Sequence, residues 1–199
     1  MTPAAAAPGG KAAPIAATVW PRSTRCWLGA LLVSLIIAAY WPGLDAPFVF
    51  DDRPAIVDNP TIRQLWGSWN PPKNGSSAVG RPLVNLSFAL NYAAGGLDVR
   101  GYHAVNLGLH VLAALALWGL LRRTLQRQPT EGGELLAFGA TTLWSLHPLL
   151  TESVTCSVQR NEVLAALWYL LTLYSFIRSV EPGAPERRWQ AAAVAPPCS

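Results

Sequence analysis

Charge is scarce in this sequence. Asp, Glu, Lys and Arg make up 13% of its 199 residues, about half the share of an ordinary soluble domain. Cysteine is scarce too, and Cys26, Cys156 and Cys198 form no CxxC pattern. That excludes a disulfide framework and a cysteine-based metal motif. Cys26 and Cys156 are expected at opposite ends of membrane spans, about 25–30 Å apart. A disulfide needs Cα atoms within about 7 Å, so these two do not pair. A basic run is also missing. The 15 Lys and Arg residues exceed the 11 acids for a net charge of +4, but most of them flank apolar stretches. Such placement sets membrane topology and gives no surface for nucleic acid. What is plentiful is apolar area, 51% of residues, and tryptophan, nine in all. Tryptophan favours membrane–water interfaces.

These features predict an all-α polytopic membrane protein. Residues 1–25 are rich in Ala and Pro, contain no acid, and are expected to form a disordered cytoplasmic tail. Residues 26–44 carry no charge and are long enough to span. A cleaved signal peptide is the alternative, but the long leader and the bulky Tyr40-Trp41-Pro42 exit favour an anchor. Further spans are expected at 101–121, 135–151 and 163–177, the last two extending into Glu134 and Glu162. Residues 45–100 form a long loop rich in Pro and Gly, with five bases and five acids. Within it, 83–94 reads as a helix too short to cross, with Leu83, Leu86 and Leu90 on one face and Gly95-Gly96 at its end. It is expected to lie along the membrane surface.

Basic residues set the orientation. Three precede the first span, three lie in 122–134 and three in 178–199, against one in 152–162. The base-rich segments are therefore expected in the cytoplasm, together with both termini, and loops 45–100 and 152–162 outside. The membrane domain covers 26–178 and a second cytoplasmic tail 179–199. The membrane is the plasma (inner) membrane in a bacterium and the endoplasmic reticulum in a eukaryote.

Most polar residues of interest gather on the outer side. Asp51-Asp52 follow Phe48-Val49-Phe50 just beyond the first span. Paired carboxylates near a low-dielectric boundary can act as a general base or hold a divalent cation. A turn or helix cap is the plainer reading. Pro148 should end or kink the third span and put His147 and Glu152 at the boundary. Arg160 and Glu162 open the fourth span, where they can pair or position an anion. His103, Asn106 and His110 share one stripe of the second span, either as interhelical hydrogen-bonding groups or, best for His103, as an active-site wall. The two histidines stand about 10.5 Å apart along the axis and cannot share an ion. Arg81 opens the surface helix, a suitable place for a phosphate or a lipid headgroup. Asn74-Gly75-Ser76 and Asn85-Leu86-Ser87 match the N-glycosylation sequon.

Taken in order, Phe48-Val49-Phe50-Asp51-Asp52, Asn59-Pro60, the run from Gly80-Arg81-Pro82 to Asn91, Tyr102-His103 to His110, His147-Pro148, Thr151-Glu152-Ser153-Val154 and Gln159-Arg160-Asn161-Glu162 resemble one family. It is the amino-terminal part of the transmembrane and tetratricopeptide-repeat O-mannosyltransferases, and the likeness runs from 26 to about 178. The resemblance implies a partial GT-C type fold and sugar transfer, mannose above all, from a polyprenyl-phosphate donor to a protein hydroxyl at the outer face. It implies Asp51 or Asp52 as the loop carboxylate, with Glu152 nearby. Arg81, His103 and Arg160 are candidates for the leaving phosphate, and Asn106, His147 and Glu162 for the site wall. Members of the family have more spans and carboxy-terminal repeats. This chain is therefore expected to be a fragment, or to need a partner chain that supplies the missing spans. A non-catalytic four-span scaffold or assembly subunit is the second reading. A small transporter or channel is a third, for which only Asn106 and His110 lie deep enough.

Overall fold

The structure is a computed structural model that describes residues 20–73, 76, 78–127 and 132–180. The expected tails fall largely outside these residues, as does Asn74 of the first sequon. All regular structure among the described residues is helical.

Helix α1, Arg22–Tyr40, follows Pro21 and begins four residues before the uncharged run. Trp41–Asp45 continues it as a 3-10 turn. Pro42 has no N–H to give to an i−4 carbonyl, so the α-helical ladder stops. Gly43 brings this turn close to the later helix α5, Thr151–Thr155. A Cβ at Gly43 would stand 2.6 Å from Thr155 Cγ2.

Short turns at Arg53–Val57, Pro60–Arg63 and Gly67–Trp69 lead to α2, Pro82–Gly95. Pro82 starts α2 and Gly96, at φ +64°, ends it where a side chain would be strained. The helix buries Val84, Asn85, Phe88 and Ala89. Its expected leucine face points away, with Leu83 62% and Leu90 55% exposed.

Helix α3, Val99–Gln126, is capped by Asp98, whose side chain accepts from Arg100 N at 3.2 Å. At 1.5 Å per residue it is about 42 Å long. It is the central element and packs against α1, α4 and α6. Helix α4, Gly133–Ser145, includes Glu134 as expected but ends well before 151. Pro148 biases His147 to extended backbone, and Pro148–Leu150 form a 3-10 turn. After α5 and a turn at Ser157–Gln159, α6 runs from Arg160 to Ser179 and includes Glu162.

Two helices, Arg22–Asp45 and Val99–Gln126, are long and apolar enough to cross a membrane. Of the four expected spans, the first two thus meet the length and hydropathy of a crossing among the described residues. α4 has 13 residues, and α6 carries Arg160, Glu162 and Arg178. α1 buries Leu32, Ile36 and Tyr40 toward α3 and turns Trp27, Leu31, Leu35 and Ile37 outward. A helix apolar on its outer face fits a hydrocarbon surrounding.

The apolar interior has two parts. One lies in the bundle and joins Leu32, Ile36, Leu107, Ala114, Trp118 and Ala137. The other joins the 46–80 segment and α2 to α3, through Ile56, Ile62, Phe88, Tyr102 and Val158. It makes the long loop a small packed subdomain.

Candidate functional site

The acid pair is divided by the fold. Phe50 takes a left-handed backbone, φ 45°, and is 89% exposed. That conformation is costly for a side chain with a Cβ. It turns the chain so that Asp52 points in and Asp51 points out. Asp52 is fully buried, and its Oδ1 accepts from Val158 N at 2.7 Å while Oδ2 accepts from Val49 N at 3.3 Å. The Cys156 thiol lies 3.8 Å from Oδ1. Asp52 therefore ties the segment after α1 to the 152–162 segment. Asp51 stays exposed at the same turn.

Burial pushes the Cys156 thiol up to about 11, with the Asp52 charge beside it acting in the same direction. Cys156 is consequently protonated at neutral pH.

Arg160 is the buried counterpart of Asp52. Its Nε donates to Asn106 Oδ1 at 2.8 Å, Nη1 to Asn91 Oδ1 at 2.7 Å and Ser87 O at 3.1 Å, and Nη2 to Tyr102 O at 3.0 Å. The guanidinium also lies over the Phe88 ring, 4.7 Å from its centroid. This corrects the expectation for Arg160 as a phosphate ligand and as a partner of Glu162. Its donors face protein acceptors, while Glu162 is exposed and accepts from Asn161 Nδ2 at 3.0 Å.

A second buried network pins the loop subdomain to α2. Asn59 Nδ2 donates to Asn85 Oδ1 at 2.9 Å, and Asn85 Nδ2 donates to Thr61 Oγ1 and to Ser68 O, both at 2.8 Å. Asn85 has no exposed surface. The second sequon is thus closed to glycosylation in the folded chain.

The polar stripe of α3 meets the carbonyls released where α4 ends. His110 Nε2 lies 2.9 Å and Tyr40 Oη 3.0 Å from Ser145 O. Asn106 Nδ2 donates to Cys156 O and Ser157 O, both at 3.2 Å. The His103 ring bridges Val154 O at 3.1 Å and Ala46 O at 3.0 Å. Irregular backbone among apolar helices must have its polar groups satisfied by protein. The stripe does that, so the interhelical hydrogen-bonding reading holds for Asn106 and His110. His103, fully buried, offers neither nitrogen to a ligand, which corrects its placement at a leaving phosphate.

The remaining candidates lie on the surface. Arg81 is exposed at the start of α2, and Glu152 is exposed on α5. His147 is exposed and its Nδ1 accepts from Leu149 N at 3.2 Å, capping the turn after α4. A cavity of about 570 Å³ opens between α1, α3 and α6, and neither aspartate nor Glu152 lines it. Among the described residues no three His, Cys, Asp or Glu side chains gather as metal ligands. With Asp52 turned in and Asp51 out, the pair does not fit a shared cation. Asn59, Asn91 and Tyr102 were given no role by sequence reasoning, and Asn85 only that of a sequon. Their one signal was that all four lie inside the motifs that carry the family likeness.

Comparison with known proteins agrees with that likeness. The chain is 36% identical over 166 residues to the human protein O-mannosyl-transferase TMTC1, covering 77% of this chain and 18% of that protein. It is 39% identical over 155 residues to the protein O-mannosyl-transferase Tmtc1 of Drosophila melanogaster, covering 73% and 17%. Against Tmtc3 of the same fly it is 34% identical over 177 residues, covering 76% and 19%. The chain therefore spans under a fifth of the length of these relatives. No family model matches it, and no solved structure does.

Proposed function

Since the chain belongs, over the stretch it covers, to the family of proteins named protein O-mannosyl-transferases, we propose that it forms the outer-face part of a membrane glycosyltransferase. In this reading mannose passes from a polyprenyl-phosphate donor to a hydroxyl of a protein acceptor. Asp51 is the general base. The acceptor oxygen attacks C1 of the sugar, its proton goes to the Asp51 carboxylate, and the C1–O bond to phosphate breaks. Arg81, exposed at the N-terminal end of α2, supplies positive charge for the departing lipid phosphate. Glu152 is a further surface carboxylate of the outer end. One observation carries the reading: of two adjacent acids, Asp52 is locked by backbone amides and Asp51 is exposed on a turn whose backbone is hydrogen-bonded on both sides. A base must be both accessible and fixed.

The chain crosses the membrane four times in this reading, with both ends cytoplasmic. The third and fourth crossings are α4 and α6, with the irregular stretch between them held against α3. Gln64→Cys and Glu152→Cys, in a cysteine-free background, should react with an impermeant maleimide from outside, and Arg127→Cys should not. The reverse pattern overturns the orientation.

The activity test uses this chain alone and joined to the remainder of a full-length relative. Mannose transfer from polyprenyl-phosphate mannose is expected only from the joined form, because positioning both substrates needs remote contacts. Asp51→Asn should lower it roughly 100-fold or more with the fold intact. Full activity of Asp51→Asn refutes the base assignment. It would favour the scaffold reading, which the structural use of Asp52, Arg160 and Asn106 supports.

A further inference from the structure

The cavity of about 570 Å³ lies at the end of the bundle opposite the outer subdomain. Its walls come from α1, α3 and α6. They are apolar along most of their length, with Ala116 and Leu171 among them, and carry Arg25 and Arg122 at the mouth. The size suits a small-molecule or lipid-chain site.

Two buried donors at this cavity have no partner among the described residues. Trp118 is 8% exposed, yet its indole Nε1 makes no hydrogen bond, and neither does Arg122 Nε. A buried unsatisfied donor is destabilising, so such groups call for an acceptor. The Arg122 guanidinium lies over the Trp118 ring at 5.7 Å, which groups the two donors together. Trp118 in turn presses on α1, where a Cβ at Gly29 would come within 3.2 Å of the ring. Among the described residues the charge at this end is one-sided. Arg22, Arg25, Arg122, Arg123, Arg127 and Arg178 stand here, against Glu134, whose Oε1 accepts from Gln126 Nε2 at 2.7 Å.

We infer that this cavity holds an anionic glycerophospholipid, with its phosphate at Arg25 and Arg122 and an acyl chain along the α3–α6 wall. The inference rests on the reading of α1, α3 and α6 as membrane-embedded, and is independent of sugar transfer. An apolar slot with cations at its mouth matches the two ends of such a lipid. A zwitterionic lipid would bring its own cation into the arginine cluster. An inorganic anion would leave the apolar slot without a partner.

The test is native mass spectrometry of the purified chain from detergent, equilibrated with equal amounts of phosphatidylglycerol and phosphatidylcholine. Phosphatidylglycerol should be retained in preference, and Arg25→Gln with Arg122→Gln should reduce its retention roughly tenfold or more. Ala116→Phe, which fills the slot and keeps the charges, should reduce it as well. Arg127→Gln serves as control, because this arginine is at the same end but donates to Ile177 O and does not line the cavity. It should retain the lipid. Melting temperatures identify any variant that does not fold, and Ala116→Phe and the arginine pair act by different routes, so one folded variant decides. Equal retention of both lipids overturns the proposal. So does unchanged retention in a folded variant, or displacement of the lipid by inorganic phosphate at millimolar concentration. A lipid-free dimer that Ala116→Phe dissociates would replace the lipid by a second copy of the chain.

Discussion

Where α2 meets the segments before it and after α4, this protein buries polar groups against one another, whereas in the helix bundle it buries mainly apolar ones and turns further leucines outward. Asp52, Asn59, Asn85, Asn106 and Arg160 are fully buried in the first region. In the second, α1 hides Leu32 and Ile36 while Trp27 and Leu31 face the surroundings. The difference follows from backbone regularity. A continuous helix satisfies its own amides, so its side chains can be apolar on every face. The 46–80 and 146–159 segments are mostly irregular, and their amides and carbonyls need side-chain partners. Polar residues are therefore placed where the helices stop.

The comparison breaks most visibly at Arg160. Arg160→Met removes the donors that satisfy Asn91, Asn106, Ser87 and Tyr102 and leaves these buried acceptors unpaired. At about 1–3 kcal/mol for each buried polar group left unsatisfied, a loss above about 3 kcal/mol is expected, read as a fall in midpoint during denaturation in detergent. Arg160→Lys should recover little of it, since an ammonium lacks the planar fork. If Arg160→Met melts like the parent chain, the first region is not held by its polar network.

Inside the bundle the contrast is between neighbours. Leu32→Ala should cost about 2–4 kcal/mol, because it opens a cavity between α1 and α3. Leu31→Ala, at a half-exposed position, should stay within about 0.5 kcal/mol. Equal costs would mean that α1 is rotated from the orientation described.

The acid pair gives the next effect. Asp52→Asn places an amide where Val49 N–H and Val158 N–H both need an acceptor, and should cost about 1–3 kcal/mol. Asp51→Asn should leave the melting temperature unchanged. A reversed order would exchange the roles of the two acids.

The smallest effect on stability is at Cys156, and it is a matter of pH. Its pKa is raised in the fold from an ordinary value near 9 to about 11. The contribution is whole below about 9 and is lost as pH rises toward about 11. In a chain lacking Cys26 and Cys198, maleimide at pH 7.5 should modify folded Cys156 roughly 100-fold more slowly than the unfolded chain, since the thiolate reacts. Equal rates would show that Cys156 is not enclosed beside Asp52.

Much of the helical plan was legible in the sequence. The uncharged run after Arg25 gave α1, and Pro82 with Gly95-Gly96 bracketed α2 to within a residue at each end. The bounds of α4 were less legible. Pro148 marked a break, but the apolar residues after Ser145 read as more helix. The candidate site was legible as a set of residues and not as a set of roles. Asp51 and Asp52 are neighbours of one type, and only the docking of Val158 decides which is buried. Arg160 looked like an exposed helix-start base because its acceptors lie 54 to 73 residues away in the chain.

By itself, then, the sequence determined two apolar helices long enough to span, the bounds of α2, the base-rich segments and the family motifs. Each of these depends on hydropathy, on backbone chemistry within a few residues, or on identity along the chain. The tertiary structure alone decided that Asp52 and Arg160 face inward, that Asp51 faces outward, and that the α3 stripe answers the carbonyls after α4. Those assignments depend on which segment supplies the missing hydrogen-bond partner. That partner is fixed only when segments far apart in the chain pack together and exclude water.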